Sequence, residues 1–174
     1  ELEPDRCGQG DLRTRVDALI DHQMANWPLL RDNHENRSRG RRKTLRLGRF
    51  PIQVHCNPAR IKSTTANVGN ASIRRRPCIL GADQLFEQQR GIAYGDEFIV
   101  LCNPYPIFRR HFTIASTAHS PQVIDGKFRS MLELSRALPE LVVFYNAPAC
   151  GASAPDHMHF QAGERAFMPI EGQR

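Results

Sequence analysis

The sequence predicts an α+β domain built on an antiparallel sheet with one main packing helix. Short apolar segments typical of strands, at residues 98–101 and 111–115, precede an amphipathic segment at 128–138. Two further strand-like segments, 141–145 and 157–161, follow it. Strands grouped around a single helix favour an antiparallel sheet, because parallel strands would need a helix between each pair.

Length and composition fit one compact domain with an extension. The chain has 174 residues, of which 40% are hydrophobic and 24% charged, enough apolar side chains for a core. No window approaches the ~20 apolar residues of a membrane span, and the polar start lacks the apolar segment of a secretion signal. The five cysteines are scattered rather than closely paired, which indicates a reducing compartment and hence a cytoplasmic location.

An N-terminal helix is expected over residues 11–31. Leu12, Val16 and Leu19 recur at helical spacing, and Asp11 is a suitable N-cap. Trp27 and Pro28 should end or bend this helix. Residues 1–42 are therefore expected to form a helical extension with a basic linker, and residues 43–174 the main domain.

Two basic segments follow the predicted helix. Arginines and one lysine recur from Arg37 to Arg49, and Arg74–Arg76 are consecutive. With a formal net charge of +6, they favour an anionic partner such as nucleotide phosphate, nucleic acid or an acidic surface. A solvated loop and strand edge is the favoured explanation, because charge runs usually face solvent. Without interleaved aromatic residues, a single-strand nucleic-acid site is disfavoured.

Strand and helix patterns occupy the remainder. An extended segment is expected from residue 45 to 54, because apolar residues recur along it at Leu45, Leu47, Phe50, Ile52 and Val54. The helix predicted over 128–138 ends at Pro139. A turn of small residues from 147 to 155 then leads to His157-Met-His159-Phe-Gln161.

This last segment carries the candidate chemistry. On a strand, alternate side chains share a face, so His157, His159 and Gln161 would line one side while Met158 and Phe160 enter the core. Neutral imidazole is a good nucleophile near pH 7, and its attack on phosphorus splits one displacement into two. Gln161 can donate N–H to a phosphate oxygen but cannot protonate a leaving group. A metal site without a nucleophile is the alternative for the two histidines.

The motif His157-x-His159-x-Gln161, preceded by Asn146 and by Gly151-Ala-Ser153, resembles the histidine-triad (HIT-like) superfamily. The glutamine variant is similar to its transferase branch, which includes galactose-1-phosphate uridylyltransferase, dinucleoside tetraphosphate phosphorylase and GDP-hexose phosphorylase. The segment 151–161 most resembles the DUF4922 family, which lies near the nucleotide-sugar and dinucleotide phosphorylases. The resemblance covers residues 45–170.

The resemblance implies a role for each matching residue. His159 would be the nucleophile, and Gln161 would hold a phosphate oxygen. Asn146, Gly151 and Ser153 would contact phosphate, and Asn103 the ribose hydroxyls. His157 would be structural or metal-binding. Independently of the resemblance, Arg60 and Lys62 could clamp an anionic leaving group, although an ordinary polar turn after Pro58 explains that segment too.

The resemblance also implies a structural zinc. Its ligands would fall on Cys78, His119 and His157, but Gly81 stands where a second cysteine is expected, and structural zinc prefers four ligands. Transferase relatives carry two HIT-like halves or dimerise, so this chain is expected either to dimerise or to be one half of such a protein.

Three functions follow as hypotheses. The first is a nucleotidyltransferase or phosphorylase that acts on a nucleotide sugar or dinucleoside polyphosphate through a nucleotidyl-histidine, with an anionic acceptor such as phosphate. The second is a nucleic-acid-binding or end-processing protein, which the net charge of +6 favours. The third is a catalytically silent nucleotide-binding module, which the intact His159 and Gln161 disfavour.

Overall fold

Two consecutive helices open the structure, a computed structural model that describes residues 11–60 and 68–172. Helix α1 spans Leu12–Asn26, and the Asp11 side chain accepts a hydrogen bond from the Thr14 backbone N–H at 2.9 Å. This confirms the predicted N-cap. The helix breaks at Trp27, as predicted, but α2 continues over Pro28–Ser38, because proline is tolerated at the first position of a new helix.

A separate two-stranded hairpin follows the helices. Strands β1 (Arg41–Leu47) and β2 (Phe50–Cys56) pair antiparallel, with Leu45 opposite Ile52. Apolar alternation predicted strands here but did not show that they pair only with each other. One face of the hairpin is apolar and exposed, with Leu47 70% exposed. A 3₁₀ turn, Pro58–Arg60, and a short helix α3, Asn70–Ile73, come next.

The main sheet has five antiparallel strands in the order β3-β4-β5-β7-β6. The strand and helix bounds are β3 Gly91–Tyr94, β4 Phe98–Cys102, β5 His111–Ser116, α4 Phe128–Ala137, β6 Leu141–Phe144 and β7 His159–Glu164. Every predicted strand of this sheet is present, and α4 matches the predicted helix. Strand β3 is an element that the sequence patterns did not predict.

The hydrophobic core lies on one face of this sheet. Phe98, Phe112 and Phe160 are fully buried there, together with side chains from both N-terminal helices, such as Val16 and Trp27. The opposite face carries the polar residues of β5 and β7. None of the helices in the described part of the chain is long and apolar enough to cross a membrane. The domain boundary expected after residue 42 stays a prediction.

Candidate active site

The polar face of β7 is the centre of the candidate site. Across the β5–β7 pair, Ala115 lies opposite His159 and Thr113 opposite Gln161. Met158 and Phe160 are buried in the core, 1% and 0% exposed, as the alternation predicted. The strand itself begins at His159, so His157 lies in the preceding turn rather than on the strand.

His159 is held in one orientation by backbone. Its Nδ1 lies 2.8 Å from the His157 carbonyl oxygen, and its side chain is buried, with the residue 4% exposed. Because a carbonyl can only accept, this contact assigns the proton to Nδ1 and leaves a lone pair on Nε2. Burial lowers the pKa of the His159 imidazole, so the neutral, nucleophilic form is favoured.

Gln161 belongs to a chain of three side chains. Its Nε2 donates to Asn146 Oδ1 at 2.9 Å, and its Oε1 lies 2.9 Å from His111 Nε2. The other nitrogen of His111 accepts from the Ile107 backbone N–H at 3.2 Å, so Nε2 carries the ring proton and donates it to Gln161. Because Gln161 accepts from His111 through Oε1, its NH₂ group points towards Asn146. One N–H of that group bonds Asn146, and the other has no part in this chain.

Asn103 reaches the same face through Thr113. Its Nδ2 donates to Thr113 Oγ1 at 3.1 Å, and its Oδ1 accepts from the Tyr105 backbone N–H at 2.9 Å. Since Thr113 is the cross-strand neighbour of Gln161, the structure brings Asn103 near the other motif residues. Its predicted role towards ribose stays a prediction.

The turn before β7 begins at Asn146. Gly151 adopts φ +90, a conformation that glycine takes without strain, and its Cβ position opens to free space. Ser153 is half-buried in the same turn. Arg60 lies close enough to His111 to lower the pKa of that imidazole. Lys62 lies outside the described residues.

The three expected metal ligands come together beside the site. His157 Nε2 lies 2.8 Å from the Ser116 carbonyl oxygen, so its Nδ1 lone pair faces Cys78 Sγ at 3.1 Å and His119 Nδ1 at 3.4 Å. The candidate ligand atoms all lie within 4.8 Å of one another. This donor set fits Zn²⁺, although the described His, Cys, Asp and Glu residues supply only three members of the group.

Two residues of the site were not identified from sequence. The strand pattern includes His111 but indicates no role for it, although its alternation with buried Phe112 could have shown that it shares the polar face. Gln122, which is fully buried, bonds the backbone of both His159 and Asn146. It follows a proline in a loop, and no sequence pattern signals its contacts.

The fold and the site together define an α+β protein with a histidine–glutamine motif on an antiparallel sheet. The profile of the family described as "Domain of unknown function (DUF4922)" matches residues 19–164. The chain therefore belongs to the DUF4922 family. No curated protein matches it.

One solved structure has a similar fold over most of this chain. Yeast Ap4A phosphorylase Apa2 in complex with AMP matches at 16% identity and a TM-score of 0.54 over 92% of this chain. The chain spans about half that enzyme's length, covering 52% of it. A histidine triad protein from Clostridium difficile matches at 14% identity and a TM-score of 0.39, over 53% of this chain and 90% of that protein.

Proposed function

We propose that this protein is a nucleotidyltransferase of the phosphorylase type that works through a nucleotidyl-histidine. The observation that carries the proposal is the 2.8 Å contact between His159 Nδ1 and the His157 carbonyl oxygen. It holds the ring in the tautomer whose Nε2 is free to attack. A histidine locked in this way is typical of nucleophilic and general-base roles.

The reaction has two balanced displacements. In the first, the Nε2 lone pair of His159 forms an N–P bond to the α-phosphorus, and the P–O bond to the leaving phosphate breaks with its electron pair on oxygen. In the second, an oxygen of an anionic acceptor such as inorganic phosphate attacks the same phosphorus, and the N–P bond returns its electrons to Nε2. The Nδ1 proton stays on His159 throughout.

Neutral donors would hold the phosphate. The second N–H of Gln161 is available to a non-bridging oxygen, and Asn146 and the Gly151–Ser153 turn are the other proposed ligands. Such donors stabilise the charge that develops in the transition state. Because Gln161 cannot act as a general acid, the first step should favour leaving groups that are already stable anions. Hydrolysis should be slow, and turnover should require an acceptor.

Nucleotide sugars and dinucleoside polyphosphates are the proposed substrates. Both contain a phosphate anhydride next to a nucleoside, and the likeness in fold to an Ap4A phosphorylase with bound AMP supports a nucleotide ligand.

We assign a structural Zn²⁺ to Cys78, His119 and His157. It would tie the turn before β7 to the neighbouring loop.

Intact-mass measurement after mixing with a panel of nucleotide sugars and dinucleotides tests this proposal. The wild-type protein should gain the mass of one nucleoside monophosphate, stable to alkali as expected of a phosphoramidate. His159→Ala should form no adduct and lose at least ~10³ of kcat, comparable to loss of a covalent nucleophile. Full turnover without an adduct, or an active His159→Ala protein, would remove the covalent mechanism.

A further inference from the structure

A positively charged concavity lies near the candidate site. Four arginines line it: Arg37 at the end of α2, Arg41 and Arg42 at the start of β1, and Arg60 in the 3₁₀ turn. We call it the arginine cleft. Its volume is about 90 Å³, which is room for several water molecules and hence for a phosphate group.

The described lining of the arginine cleft carries positive charge only. Among the described residues that line it, none is acidic. Burial lowers the pKa of the Arg37 guanidinium, Glu164 raises it, and the positive charges of Arg42 and Arg109 lower it again. Glu164 itself is engaged by Arg109, accepting from its backbone N–H at 3.1 Å and lying 3.4 Å from its Nε. The cleft therefore keeps an excess of positive charge.

One donor in the cleft lacks a protein partner. Within the described residues, the Nε of Arg37 is buried and makes no hydrogen bond. A buried N–H without a partner is unfavourable, and an anion in the cleft would satisfy it. Guanidinium groups are well suited to phosphate, because their N–H donors match its oxygens in pairs.

Only Ile107 and His111 separate the arginine cleft from Gln161 along a chain of hydrogen bonds. Ile107 forms part of the cleft wall, and its backbone N–H donates to His111 Nδ1 at 3.2 Å. His111 in turn contacts Gln161 at 2.9 Å. The cleft thus lies on the other side of His111 from Gln161, the amide proposed to contact the reacting phosphate.

We propose that the arginine cleft is a second phosphate subsite, which binds the distal phosphates of a polyphosphate-containing nucleotide substrate. This inference rests on the proposed function and restricts its substrate class. The hexose of a nucleotide sugar would bring only hydroxyl groups to these guanidinium groups, whereas a polyphosphate chain brings further negative charges. Substrates with three or more linked phosphates should therefore be preferred.

Binding of two probes to the full chain separates the two sites. Inorganic tripolyphosphate reports on the arginine cleft, and AMP reports on the nucleotide site. Arg37→Gln should weaken tripolyphosphate binding at least about tenfold, as expected for loss of a charge-assisted pair, while AMP binds as before. Arg129→Gln is the matched control: it removes the same charge from an exposed residue of α4 and should change neither affinity.

The other outcomes distinguish failure of the cleft from failure of the nucleotide site. Tripolyphosphate binding that is absent, or equal in wild type and Arg37→Gln, overturns the subsite even where AMP still binds. Arginine-dependent tripolyphosphate binding without AMP binding would support the cleft as a phosphate site and contradict the proposed function. A mixed-sequence oligonucleotide that binds more tightly than tripolyphosphate, and depends on Arg37, would make the cleft a nucleic-acid surface and overturn the proposal.

Discussion

Gln122 holds both backbone polar groups of His159. Its Oε1 accepts from the His159 N–H at 2.7 Å, and its Nε2 donates to the His159 carbonyl oxygen at 2.9 Å. The same Nε2 lies 3.0 Å from the carbonyl oxygen of Asn146. One buried amide therefore sets the position of the proposed nucleophile relative to a proposed phosphate ligand, from a loop that is distant in sequence.

Gln122→Met should reduce both stability and adduct formation. Methionine keeps the volume but leaves buried backbone groups unsatisfied, which should lower the free energy of unfolding by roughly 3 kcal/mol. Gln23→Met is the control, because Gln23 is also fully buried and bonds backbone at Gln88 and Arg90. Urea unfolding should show similar losses for both variants, and only Gln122→Met should slow adduct formation in the folded protein. Equal adduct rates would contradict a positioning role.

Asn103→Ala should weaken nucleotide binding more than catalysis. Asn103 sits at the end of β4, with its amide between Thr113 and Tyr105, beside rather than at the reacting groups. Loss of an interaction made equally in ground and transition states raises KM and leaves kcat nearly unchanged. Steady-state kinetics with a dinucleotide substrate checks this. A fall in kcat at constant KM would show that Asn103 acts in the chemical step instead.

His111 should make the protein sensitive to acid. The pKa of its imidazole is lowered to about 4, mainly by burial. The hydrogen bond with Gln161 raises this pKa, and the positive charge of Arg60 lowers it further. As the pH falls, the unfolded chain, in which this histidine has its ordinary pKa, binds a proton at a higher pH than the folded protein does. Stability from this residue is thus fully present above about pH 6.5 and is lost as the pH falls towards 4. Between pH 7 and pH 4.5 the free energy of unfolding should fall by roughly 2 to 3 kcal/mol on this account alone.

Denaturant unfolding at the two pH values measures this effect. His111→Gln keeps an amide N–H for Gln161 but removes the titrating group, so its loss of stability on acidification should be smaller by that amount. If the wild-type protein and His111→Gln lose the same free energy, His111 is not the residue responsible.

The metal assignment predicts one thiolate-bound ion per chain. Co²⁺ added to metal-free protein should give a sulfur-to-metal charge-transfer band, and Zn²⁺ should displace it and raise Tm. Cys78→Ser should abolish the band, and His119→Ala should weaken binding. Cys150→Ser removes an exposed free cysteine and serves as the control. A band that survives in Cys78→Ser, or is absent from wild type, would exclude this site.

The elements predicted correctly are those whose patterns are local. The alternation around His159 and the N-cap at Asp11 depend on neighbours in sequence, so they can be read from it. Strand β3 was missed because it is short, begins with Gly91 and has only Ile92 buried. The pairing of β1 with β2 alone could not be predicted, because alternation identifies a strand and not its partner.

The residues of the candidate site likewise include some that the sequence identified and some that it did not. The motif from His157 to Gln161 and the candidate ligand set with Cys78 and His119 were identified through their resemblance to a known family, and their roles stay predictions. The roles of Gln122 and His111 arise from contacts with residues 37 and 50 positions away. Such contacts depend on how the sheet closes, and a single sequence carries no local signal for them.

Gln161→Glu should block the first chemical step while preserving the fold. A glutamate carboxylate can still accept from His111 Nε2, but it cannot donate to Asn146 or to a phosphate oxygen. Its negative charge would also face the anionic substrate. Loss of one preorganised donor costs about 10²-fold in rate or more, so adduct formation should slow at least that much. Single-turnover mixing with a labelled dinucleotide measures the rate, and Gln88→Glu, an exposed residue, adds the same charge as a control. An adduct formed at the wild-type rate by Gln161→Glu would show that the amide N–H of residue 161 does not contact the reacting phosphate.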